Sequence, residues 1–136
     1  MRRRALTVLA GLILMTGSAL AGGPEVFDFD EEVATADPER GAVSRFMVRG
    51  PEYTVSAVVV NNAIPLHQHD DGSHVLFIVS GRGTALLDGQ SVALKPGTLL
   101  HIPKGVRHGI AAEGGRITLV DFVGHAVDPA RVEHHE

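Results

Sequence analysis

The sequence predicts an all-β domain, a sandwich or a barrel, from three observations. Beyond Gly41 the chain breaks into short runs of β-forming residues, turn residues part these runs at close intervals, and no helix of about 10 or more residues is predicted. The runs are Val43 to Arg49, Tyr53 to Asn61, His74 to Ser80, Gly83 to Leu87, Ser91 to Leu94, Thr98 to Ile102, Arg107 to Ala111 and Arg116 to Val123. Between them lie Gly50-Pro51, Asp70-Asp71-Gly72-Ser73, Gly81-Arg82-Gly83, Asp88-Gly89, Lys95-Pro96-Gly97, Pro103-Lys104-Gly105 and Gly114-Gly115. Asp88-Gly89 predicts the tightest hairpin, because Asp-Gly suits the left-handed two-residue turn that matches strand twist.

The segment before these runs has a different character. Met1-Arg2-Arg3-Arg4 is basic, Ala5 to Met15 is apolar, and Ser18-Ala19-Leu20-Ala21 places small residues before Gly22-Gly23. This layout predicts a signal peptide over residues 1–21, cleaved after Ala21, and an exported, periplasmic or secreted product. A membrane anchor would need about 20 apolar residues, and this run is shorter and interrupted by Gly11, Thr16 and Gly17. Stable membrane insertion is therefore not expected. Arg3-Arg4 also permits a twin-arginine reading, a route that exports folded, metal-loaded proteins.

Cleavage would leave 115 residues, enough for one domain with a modest core. Arg2, Arg3 and Arg4 would leave with the signal, so 9 Lys and Arg would face 16 Asp and Glu, a formal charge of −7. That balance argues against nucleic acid or an anionic membrane surface as partner, since both need a basic face. The chain has no cysteine, which excludes disulfides and thiolate metal sites, and Met47 is the only methionine after residue 21. Imidazole and carboxylate remain as metal ligands. Residues 22–40 form an acidic arm with seven acids and no base before Arg40; Val26, Phe27 and Phe29 leave open whether it packs on a barrel edge, reaches a partner subunit or stays solvated. Residues 41–123 are the predicted barrel and 124–136 a polar tail.

Eight histidines stand in 136 residues. His67 and His69 are two apart, so on an extended strand both rings project from one face and can share an ion. Alone, this spacing also fits two surface histidines. His74 lies at an odd offset from His69, and the turn Asp70-Asp71-Gly72-Ser73 resets its parity. His108 follows the tight turn Pro103-Lys104-Gly105 and can close a site from across a barrel.

Around these histidines the sequence resembles the cupin superfamily. Its first motif runs Gly, five residues, His, any, His, three or four residues, Glu, six residues, Gly; His67, His69 and Gly81 match it, with Asn61 for the first Gly and His74 for Glu. The second runs Gly, five residues, Pro, any, Gly, two residues, His, three residues, Asn; Gly97, Pro103, Gly105 and His108 match, with Ala112 for Asn. The 15 residues between Gly81 and Gly97 resemble the spacing of compact microbial members. The resemblance covers about residues 41–123 and implies a double-stranded β-helix, a jelly-roll barrel, holding one divalent transition metal on His67, His69, His74 and His108. Asn61 is expected to tolerate a left-handed backbone in place of Gly.

Four neutral imidazoles would leave the ion's full charge uncompensated, a stronger Lewis acid than a site containing glutamate, suited to an anionic or enolisable ligand chelating through oxygen. Fe, Mn, Cu, Zn and Ni all remain candidates. Few other residues offer chemistry. Arg45 and Arg49, evenly spaced on one strand, would either hold a carboxylate inside the barrel or form a solvated outer face. Tyr53 is either a proton donor or a rim aromatic, and His101 either supports the site from behind or lies on the surface. His125 and the pair His134-His135 are assigned to the tail. The sequence thus leaves three readings: a mononuclear metal enzyme acting on a small polar or carboxylate substrate, as an oxygenase or a metal-assisted isomerase or lyase; a non-catalytic binder of metal or small molecules; and a structural homodimer.

Overall fold

The computed structural model describes residues 23–125. The predicted signal peptide and the terminal His134-His135 lie outside the described residues. Nine strands are described: β1 Ala42–Arg49, β2 Tyr53–Val60, β3 Ala63–His67, β4 Gly72–Ser80, β5 Gly83–Leu87, β6 Gln90–Leu94, β7 Leu99–Ile102, β8 His108–Ala112 and β9 Ile117–His125. They form two antiparallel sheets, ordered β1-β2-β9-β4-β7 and β3-β8-β5-β6. Between the sheets, alternate side chains of both inner faces make one apolar core that includes Val60, Ile78, Ala85, Ile110, Ile117 and Leu119. Val58, Leu76, Ile110 and Leu119 of this core border the small cavity that the histidines line.

All eight predicted runs are strands. Asp88 and Gly89 both take positive φ, 47° and 81°, the left-handed pair expected of that hairpin. Sequence reasoning missed β3, because Pro65 sits in its middle. Proline cannot donate to a ladder and is tolerated at an edge. β3 is such an edge strand, and its pairing with β8 shifts register between Ile64 and His67, around that proline. At the other end β9 runs on to His125, past the predicted barrel boundary at Val123. Backbone pairing explains the extension: Ser73 and Gly72 of β4 stand opposite Gly124 and His125. Gly72 must be glycine there, since a Cβ would collide with the Gly124 carbonyl.

The acidic arm packs on its own barrel. Phe29–Ala34 forms the short helix α1, capped by the Asp28 side chain, which accepts from the Glu31 amide at 3.2 Å, with further acids in the first turn where the helix dipole favours them. Val33 and Ala36 are buried against Ala57 and Val59 on the outer face of β2. Arg45 donates to the Thr35 carbonyl at 2.9 Å, so it faces outward and fastens the arm. Asn61 does likewise, its amide donating to the carbonyls of Asp37 and Arg40 at 3.0 and 2.8 Å. Asn61 is not among the positive-φ residues, so its role is to tie the arm rather than to allow the left-handed backbone expected of it.

Candidate metal centre

Three strands and one loop bring four imidazoles to one cavity between the sheets. His67 ends β3 and stands directly opposite His108, which begins β8. His74 projects from β4 in the facing sheet, between Val123 of β9 and Ile102 of β7. His69 lies just beyond the end of β3, so the continuous strand predicted to carry both His67 and His69 stops at the first of them. The two rings still converge, with Nε2 atoms 3.0 Å apart. His74 and His108 are buried, with 6% and 5% of their surface exposed.

Hydrogen bonds at Nδ1 fix the tautomers. His67 Nδ1–H donates to the Pro65 carbonyl at 2.8 Å, and His108 Nδ1–H to the Val106 carbonyl at 2.9 Å. A carbonyl oxygen only accepts, so each ring keeps its proton on Nδ1 and presents a bare Nε2 lone pair when neutral. His74 Nδ1–H meets the Asp121 carboxylate at 2.9 and 3.2 Å. Its Nε2 is then also a lone pair, and it is fully buried with no hydrogen-bond partner. Such an orphaned acceptor costs about 1–3 kcal/mol unless something else occupies it.

These donors fit a divalent transition metal. His67, His69 and His108 offer ligand atoms within 4.8 Å of one another, and two imidazole nitrogens bound to one ion at about 2.1 Å and at right angles are themselves about 3.0 Å apart. His74 stands just outside this tightest group, its ring centroid 4.1 Å from that of His69 and 5.9 Å from that of His108. All four rings line one small cavity of about 60 Å³. Nδ1 contacts of this kind to a carbonyl or carboxylate orient metal-binding imidazoles in general.

Burial, and next the neighbouring imidazoles of His74, His67 and His108, lower the pKa of His69 from its usual value. Burial also lowers that of His108, partly offset by its bond to Val106. The unfolded chain takes up these protons near pH 6.5, the folded chain only at lower pH, so the folded form binds fewer protons between the two. Stability from this source is complete above about pH 6.5 and is lost as pH falls through the lowered folded values. Metal-free protein is expected to melt at a lower temperature at about pH 5 than at about pH 7; an unchanged or higher melting temperature at the lower pH would contradict this.

A second, larger cavity of about 440 Å³ adjoins the histidines and is lined by Phe46, Thr54, Ser56, Val123 and His125 as well as by His69, His74 and Asp121. Asp121 is the functional candidate that sequence reasoning missed. It borders both cavities and accepts from His74 Nδ1–H. His125, assigned from sequence to the tail, is on β9 and bonds Thr54 Oγ1 through Nε2 at 2.9 Å inside the larger cavity. His101 is exposed and pairs with Val75 on the outer sheet face, away from the site. Tyr53 stacks on Phe122 with centroids 5.3 Å apart and is a rim aromatic. Among the described residues no helix is long and apolar enough to cross a membrane.

A family profile described as "Cupin domain" matches residues 55–123. The chain belongs to the cupin family. Solved structures agree in fold. This cupin is similar to KdgF from a Halomonas species, at 22% identity and a TM-score of 0.61 over 70% of this chain and 88% of that one. It is also similar to a cupin-2 domain protein from Shewanella frigidimarina, at 21% identity and a TM-score of 0.63 over 74% and 95% of the two chains. A double-stranded β-helix protein from Klebsiella pneumoniae aligns at 19% identity with a TM-score of 0.68, covering 76% of this cupin and 91% of its own chain. No curated protein matches the sequence. The double-stranded β-helix expected from the motifs is therefore the fold, and His67, His69 and His108 are a cluster that could hold an ion.

Proposed function

We propose that this cupin is an exported metalloenzyme that holds one divalent transition metal with His67, His69, His74 and His108 and acts on a small carboxylate or polar molecule in the adjoining cavity. The buried, unpartnered Nε2 of His74, in a ring fixed from behind by Asp121, carries the reading. It is a ligand atom oriented before any ligand arrives. When bound, the ion supplies Lewis acidity toward a substrate carbonyl. The protein's own groups do the rest: hydroxyls of Thr54 and Ser56 line the wall, Val58 and Val123 give it an apolar surface, and Asp121 offers the one carboxylate among the described residues that borders both cavities.

That carboxylate favours proton transfer over oxygen insertion. In this reading Asp121 takes a proton from a carbon next to a polarised carbonyl and returns it elsewhere, as a metal-assisted isomerase or lyase requires. Incubating the cobalt-loaded protein with short 2-oxo acids in heavy water tests this by proton NMR, with an oxygen electrode in parallel. The expected result is deuterium incorporation beside the carbonyl without oxygen uptake. Oxygen consumption would point to the oxygenase instead, and binding without either change would leave a carrier.

A further inference from the structure

An antiparallel sheet with one face on the core and the other in water alternates apolar residues inward with polar residues outward. The strands β9, β4 and β7 do not alternate. Their inward positions supply Leu119, Ile78 and Leu100 to the core, yet their outward positions hold Val120 and Phe122, Val75, Phe77 and Val79, and Leu99. Register joins these into one surface: Phe77 lies between Leu99 and Val120, and Val75 between His101 and Phe122. Tyr53 extends it onto β2 by stacking on Phe122. No outward position of the three strands is an acid, a lysine or an arginine. Leu99 is 59% exposed, Phe77 43%, Phe122 39% and Val79 37%.

The other half of the same sheet shows what such a face requires. On β2 the outward residues Ala57 and Val59 are buried because Val33 and Ala36 of the acidic arm pack on them. That cluster takes in β1 and β2 only, so the apolar face of β9, β4 and β7 is left without a cover among the described residues. Tyr53, Phe77, Val79, Leu99 and Phe122 together expose roughly 400 Å² of side chain, at about 200 Å² for each whole side chain. A contiguous apolar patch of this size marks an interaction site. A stable interface buries about 800 Å² per partner, apolar at its centre and polar at its rim, and the patch is large enough to be that centre.

We infer that the occupant of this face is a second copy of the chain, packed sheet to sheet through the outer faces of β9, β4 and β7 about a two-fold axis near Phe77. Sheets packed in this way lie about 10 Å apart. A two-fold contact sets the patch against itself, and a face with no charged side chain meets its own copy without like-charge repulsion. The same lack of charge gives it nothing with which to orient or select a different protein electrostatically. Residues 126–136, which follow β9, carry four charged side chains and none of the apolar ones larger than valine, a poor match for Phe77, Leu99 and Phe122. The acidic arm, one sequence-based candidate for reaching a partner subunit, is engaged on its own barrel instead. None of the face's residues borders either histidine cavity, so this contact stands apart from the proposed metal centre.

The test is sedimentation equilibrium on the purified protein from about 1 to 100 µM, for the wild type, Leu99→Asp, Phe77→Asp and, on the outer face of the opposite sheet, Leu86→Asp. Circular dichroism first establishes that each variant keeps its strand content. Wild type and Leu86→Asp should sediment at twice the chain mass. Leu99→Asp and Phe77→Asp each put a carboxylate into an apolar contact, and should weaken self-association at least about 100-fold, leaving folded monomers. Leu99 is the more exposed of the two in the single chain, so its variant gives a readout even where Phe77→Asp does not fold. A wild type that stays monomeric across the range overturns the inference; binding of that monomer to phosphatidylcholine vesicles would make a lipid surface the occupant instead. A dimer that survives in Leu99→Asp, or that Leu86→Asp dissolves, places the contact elsewhere and overturns it as well.

Discussion

Replacing His108 by alanine is expected to abolish stoichiometric metal binding, whereas His101→Ala leaves it intact. The two histidines lie on neighbouring stretches of chain but on opposite faces of the barrel wall. His108 is buried, its Nδ1–H is committed to the Val106 carbonyl, and its Nε2 belongs to the three-histidine cluster. His101 is exposed on the outer face of β7. Removing a ligand should weaken affinity by more than the ~10–100-fold that follows loss of an outer hydrogen-bond partner. His67→Ala should behave as His108→Ala does. Elemental analysis after dialysis against a weak chelator reads all three variants; metal retained by His108→Ala would show that the cluster is not the site.

Two substitutions at Asp121 should separate its roles, and they give the second large effect. In Asp121→Asn the amide oxygen can still accept from His74 Nδ1–H, so the imidazole stays oriented and metal content should hold. The proposed base is gone, however, and deuterium exchange should fall by about 10²–10⁴-fold. In Asp121→Ala nothing accepts from Nδ1, and metal affinity itself should drop by about 10–100-fold. Exchange rates and metal titrations on the same preparations check both. Equal metal loss in the two variants would mean that the charge of Asp121, rather than its hydrogen bond, holds His74; unchanged exchange in Asp121→Asn would remove it as the base.

Much of the fold was legible because its turns have chemical causes. Asp88-Gly89 demands a left-handed hairpin and makes one, and the other Gly and Pro breakers fall between strands. Where the reading failed, a local rule met a tertiary one. Pro65 concealed β3, since its cost to a ladder vanishes at an edge. That four histidines converge was legible through the spacing of the two cupin motifs, but their geometry was not: His69 lies past the end of its strand and reaches His67 by a loop.

Asp121 shows a different limit. It stands in Ile117–His125, a strand with apolar residues on both faces, so alternation alone could not say which face is inward. The lining of the larger cavity assigns Asp121, Val123 and His125 to the interior. Arg45 and Arg49 show a related limit. Their even spacing suggested a shared face, but one extra residue at Met47 breaks the alternation between them, and both are exposed and outside the lining of the large cavity. A bulge leaves no reliable mark in a single sequence, because the extra residue need not be glycine.

The central claim is that all four imidazoles bind one ion through Nε2, His74 included. Diffraction from metal-loaded crystals, with anomalous scattering recorded at the absorption edge of the bound metal, tests it most directly. The claim predicts a single anomalous peak between the four rings, about 2.0–2.2 Å from the Nε2 atoms of His67, His69, His74 and His108, with the His74 Nδ1 contact to Asp121 retained. A peak ligated by His67, His69 and His108 with His74 Nε2 left unbound, or no peak between the rings, would contradict it.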